Sequence, residues 1–60
     1  MKLSSQKRII KNAVSRAAIN NNDRIAIARA AAVDADSRGV NVQSASYLHD
    51  LFCAMLDDIC

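Results

Sequence analysis

His49 and Cys53 stand four residues apart, and Cys60 follows seven further on with Asp57 between them. On a helix these positions share one edge. Imidazole and thiolate so spaced could chelate zinc, above all if a second chain supplied two more ligands. The chain has no CxxC and no second histidine, and a cysteine beside an apolar stripe ordinarily packs. No metal ligand is assigned and no cofactor is expected. Cys53 with His49 as its base would make a thiolate nucleophile, but adjacent helical positions supply neither an orienting third group nor oxyanion donors. Asp57 and Asp58 project about 100° apart on a helix and do not share a proton. One glycine cannot build a phosphate-cradling loop. The expectation is therefore a protein that is not an enzyme and has no catalytic residues.

A second constellation is cationic. Lys7, Arg8, Lys11 and Arg16, with Asn12 and Ser15 nearby, could track nucleic-acid phosphates with an affinity that falls steeply as salt rises. The competing reading is a solvated basic face. No aromatic ring is interleaved for base stacking, so readout of single strands is not supported. The chain's net charge of +2 hides an asymmetry: residues 1–30 carry +6, residues 31–60 carry −4, and there is no glutamate. Either one end meets an acidic partner or the two halves meet each other.

Helices must position these groups. Apolar residues recur at helical spacing in three stretches, which places helices over 4–19, 24–35 and 44–60 with a turn at 36–43 around Gly39. Ser4 or Ser5 is the expected cap of the first helix, and Ser44 or Ser46 that of the last. Asn20 to Asp23 are four poor helix formers and mark a break. The apolar phase of Ile10 and Val14 nevertheless continues through Ile25, Ile27, Ala28, Ala31, Ala32 and Ala35, so one long helix is the alternative. The segment Arg24 to Ala35 is rich in alanine and reads as a flat packing surface. The last helix gathers the bulky side chains Tyr47, Leu48, Leu51, Phe52, Met55, Leu56 and Ile59 on one wide face.

Sixty residues bury only about 60% of the surface that the unfolded chain exposes. Many of the apolar residues here are alanines, which leaves a thin core. The fold expected is all-α, a small helical hairpin or three-helix unit in a single domain, assembling as a helical-bundle homodimer through the Tyr47 to Ile59 face. Cations at the start of the first helix and anions at the end of the last both oppose the helix dipole. Placing those ends side by side would relieve both, which favours an antiparallel hairpin over an up-down-up bundle.

Cys53 and Cys60 lie about 10 Å apart along one helix and cannot bridge within it, so a reduced, cytoplasmic setting is expected. No stretch is long and apolar enough to span a bilayer. The basic, acid-free first 22 residues are similar to a mitochondrial transit segment, but a surface helix is the reading preferred, since cleavage would leave too little to fold. A helix-turn-helix over Ile25 to Asn41 fails because Arg38 and Gly39 fall where buried apolar residues are needed. A ribbon-helix-helix is disfavoured because a single helix follows the Val40 to Val42 alternation.

The triplets Asp34-Ala35-Asp36 and Leu48-His49-Asp50 resemble fragments of the small plasmid-copy-number regulators of the Rop type. That resemblance implies a helical-hairpin dimer binding RNA loops through its first helix. It covers six residues, with the triplets spaced three residues wider here, and does not extend to Lys7 through Arg16. Two functions follow: a dimeric regulator contacting DNA or RNA through its basic first helix, or an inhibitor or adaptor offering the last helix to a protein partner.

Overall fold

The computed structural model describes residues 2–59, the side chains of Asp58 and Ile59 excepted. It contains α1 (Leu3–Asn20), α2 (Arg24–Ser37) and α3 (Ser46–Ile59), with no strand among the described residues. The chain is therefore an all-α three-helix unit.

The break between α1 and α2 forms without glycine or proline because three of the four polar residues there, Asn20, Asn21 and Asp23, bond a helix end. The Asn20 and Asn21 side-chain amides donate to the Arg16 and Ala17 carbonyls at 3.2 and 3.0 Å, and the second of these is among the last four carbonyls of α1, which have no partner further along the helix. Asn21 then turns extended, and the Asp23 carboxylate accepts from the Ala26 amide at 3.3 Å to cap α2. At the start of α1, by contrast, Lys2 occupies the cap position with no side-chain hydrogen bond, and Ser4 and Ser5 lie inside the first turn.

α2 runs two residues further than its apolar pattern and ends in a Schellman motif. The Val40 amide donates to the Ala35 carbonyl at 2.9 Å and the Gly39 amide to the Asp36 carbonyl at 3.0 Å. Gly39 has φ 88°, a conformation in which a Cβ would be strained, and this explains the one glycine. Val40 and Val42 then turn inward, 2% and 5% exposed, and plug one end of the core. Between them the Asn41 side chain accepts from the Gln43 amide at 2.9 Å, which makes this an Asx turn and not a strand. The Ser44 hydroxyl donates to the Asn41 carbonyl at 2.8 Å, and the Ala45 carbonyl accepts the first bonds of α3.

The core is one cluster. Ile10, Ala13, Val14 and Ala17 from α1 meet Ile27, Ala31 and Ala35 from α2, and Leu48, Phe52 and Leu56 from α3 close over them. Of the apolar run expected on the arc of Ile10, Ile27, Ala31 and Ala35 are buried and Ala28 and Ala32 pack against the core, while Ile25, like Val33, points to solvent.

The direction of α3 corrects the antiparallel expectation. The Tyr47 hydroxyl, in its first turn, donates to Gln6 Oε1, in the second turn of α1, at 3.3 Å. Towards the other end, Arg24 at the start of α2 pairs with Asp57 near the end of α3. α1 and α3 are thus parallel and α2 runs against both. The acidic end of α3 finds its cation on α2, and the helical hairpin is not the arrangement adopted.

Ala31, fully buried, tests the close approach that alanine permits here. Ala31→Leu should destabilise the fold by about 1–3 kcal/mol through overpacking, read as a lower urea midpoint, whereas Ala30→Leu on the exposed side of α2 should leave the midpoint nearly unchanged.

Candidate functional site

The four cations expected to act together are divided by the fold. Lys7, Arg8 and Lys11 are exposed on α1 and make no ion pair among the described residues. Arg16 lies about 140° around the helix from Lys11, and its Nε donates to Asp34 Oδ2 on α2 at 2.9 Å. The Nε of Arg38 holds the other oxygen of the same carboxylate at 2.9 Å. Asp34 therefore bridges the α1–α2 seam between two guanidinium groups. The hydrogen bond from Arg16, followed by that from Arg38, holds its carboxyl below the ordinary value of 3.8.

The apolar face of α3 is divided as well. Leu48, Phe52 and Leu56 lie inside the chain's own core, so the expectation that they need a second chain to cover them is corrected: the alanine faces of α1 and α2 let α3 sit close enough to enclose them. Leu51 and Met55 are half-buried, Tyr47 is half-exposed, and the side chain of Ile59 lies outside the described residues.

Leu51 and Met55 form one wall of a feature that the sequence did not reveal. An open groove of about 700 Å³ runs between α1 and α3, lined by Lys11, Val14, Ser15, Ala18 and Ile19 on one side and Leu51, Ala54 and Met55 on the other. It lies within the size range of small-molecule and peptide pockets, about 300–1,000 Å³. Ile19, at its end, is 82% exposed. A signal was available: Ile19 falls about 180° from Ile10 on the helical projection, off the core arc and on the side of Lys11 and Ser15.

The groups read for metal or nucleophilic chemistry remain sparse. Cys53 Sγ lies 3.9 Å from both ring nitrogens of His49. Among the described residues no three His, Cys, Asp or Glu side chains converge. Asp57 is held by Arg24, and Cys60 and the Asp58 side chain lie outside the described residues. Among those residues no helix is long and apolar enough to cross a membrane. No protein-family model matches this chain, and no curated protein or solved structure matches it either.

The Asp34 bridge makes a pH prediction. Because its folded carboxyl titrates below the ordinary value, the stabilisation it gives is present above that value and is lost as pH falls through the lower, folded one. Asp34→Asn should lower the melting temperature near neutral pH, and the gap to the parent chain should close as pH falls below the ordinary carboxylate value.

Proposed function

We propose that this chain is a small non-enzymatic regulatory protein that contacts nucleic acid through the N-terminal half of α1 and works as a pair of copies. The observation that supports this reading most is where the unmatched positive charge lies. Arg16, Arg24 and Arg38 each have a carboxylate partner. Among the described residues Lys2, Lys7, Arg8, Lys11 and Arg29 make no ion pair; Arg29 stands alone on α2, whereas the other four crowd the end of α1 where the helix dipole already disfavours cations. No acidic residue occupies the first turn of α1 or of α3. Since the two helices are parallel, both positive helix ends lie at that same end of the bundle, a potential that favours phosphate. Contacts of this kind position a backbone and carry no base sequence.

A second reading, a protein-binding adaptor or inhibitor, is favoured by the groove between α1 and α3. Its recognition surface would be Leu51, Met55 and Ile19 rather than the whole face of α3, because Leu48, Phe52 and Leu56 are enclosed.

Fluorescence anisotropy with labelled duplex DNA and structured RNA, read across a salt series, tests the first reading. Binding should weaken as salt rises, and Lys7→Ala/Arg8→Ala/Lys11→Ala should reduce the log–log slope by about 2–3, near one for each phosphate no longer neutralised. Arg16→Ala should leave that slope almost unchanged because Asp34 already occupies its guanidinium. Absence of binding to either nucleic acid at low salt would remove the reading and leave the adaptor.

A further inference from the structure

We propose that a second copy of this chain closes the α1–α3 groove, with α1 of each copy lying along α3 of the other about a two-fold axis parallel to the helices. This rests on the paired state in the proposed function and assigns it a surface which that reading does not name.

The groove's apolar floor, including Val14, Ala18, Leu51 and Met55, is left open by the chain, and Ile19 at its end is almost fully exposed. Its two helices differ in sign. α1 carries only cations, with Lys11 on the groove wall, whereas α3 carries aspartates and neither lysine nor arginine. Asp50, exposed, stands one turn before the lining residue Ala54. A surface with one cationic and one anionic helix is complementary to its own copy when α1 faces α3.

The register agrees with this. The Tyr47 to Gln6 hydrogen bond sets residue 6 level with residue 47, so Lys11 is level with Phe52. A lysine on a helix leans up to one turn, about 3.6 residues, toward the N terminus, which carries its ammonium group from the level of Phe52 past Asp50 to that of Leu48 and His49, so Asp50 lies within its reach. A two-fold axis parallel to the helices preserves these levels, so Lys11 of each copy meets Asp50 of the other, twice per dimer. A foreign helix would need both signs in that register, whereas a copy has them by symmetry. A standard interface takes about 800 Å² from each partner, about a fifth of this chain's 4025 Å² surface, an area that two of three helices can supply. Lys11 then belongs to both the dimer seam and the polyanion surface, and the two compete for it.

Sedimentation equilibrium without nucleic acid tests the pairing. At about 100 µM, a concentration that populates complexes of micromolar Kd, the parent chain should show twice its 6.5 kDa mass. Lys11→Glu and Asp50→Lys, both at exposed positions, should each keep the helical circular-dichroism signal and weaken self-association about tenfold or more, since two pairs become repulsive at once. An equimolar mixture of the two variants should recover the doubled mass, because every pair in the mixed dimer is again opposite in sign. A parent chain that stays at its single mass, variants that dimerise like the parent, or a mixture that fails to recover would each overturn the pairing. Loss of dimerisation with salt-dependent nucleic-acid binding intact would leave the proposed contact standing, and the reverse would leave the dimer standing.

Discussion

Closure of α3 over an alanine floor is the interaction on which the structure depends. Leu48, Phe52 and Leu56 each gain about 1.5–3 kcal/mol when taken out of water, and together that rivals the whole stability of a typical small domain, about 5–15 kcal/mol. The gain is available only because Ala13, Ala17, Ala31 and Ala35 present little side-chain bulk and let helix axes approach. Alanine contributes little area of its own, and here its contribution is to make room. The two valines of the connecting turn complete the enclosure at one end, which a longer or more polar loop could not do.

Polar residues then fix the directions of the helices around that core. Asn20, Asn21 and Asp23 satisfy the ends of α1 and α2, and Gly39 permits the Schellman turn that sends the chain back. Two ion pairs tie α2 to its neighbours: Asp34 to Arg16 on α1, and Arg24 to Asp57 on α3. They lie on the surface, where such pairs are worth about 1 kcal/mol or less, so they select an arrangement more than they stabilise it. Apart from Arg29 on α2, the cations they leave unmatched crowd the start of α1, and the proposed contact with nucleic acid follows from that surplus of charge.

The sequence made the helices legible and their assembly only partly so. Apolar spacing located all three helices within two residues, and the run of four polar residues marked the break. The parallel course of α1 and α3 was not legible, because the basic start of α1 and the acidic end of α3 look complementary in sequence, while Arg24 is the cation that the fold brings near. The face of α3 reads as one surface because periodicity cannot say which part of a wide stripe the same chain will cover. Arg16 is already about 140° from Lys11 on the helical projection, but that Asp34 and the α1–α2 seam would take up its charge depends on a residue eighteen positions away. The groove was hidden for the same reason: it is defined by two helices distant in sequence, and Ile19 alone announced it by lying off the arc.

One chain encloses Leu48, Phe52 and Leu56, with α3 parallel to α1. Nuclear Overhauser spectra of isotope-labelled protein mixed with unlabelled protein separate contacts within a chain from those between chains. This arrangement gives cross-peaks within one chain from the Phe52 ring to the buried alanine methyls of α1 and α2, and from the Tyr47 ring to Gln6. Phe52 contacts found solely to the unlabelled chain, or a Tyr47 ring lying against the Asn20 end of α1, would contradict it.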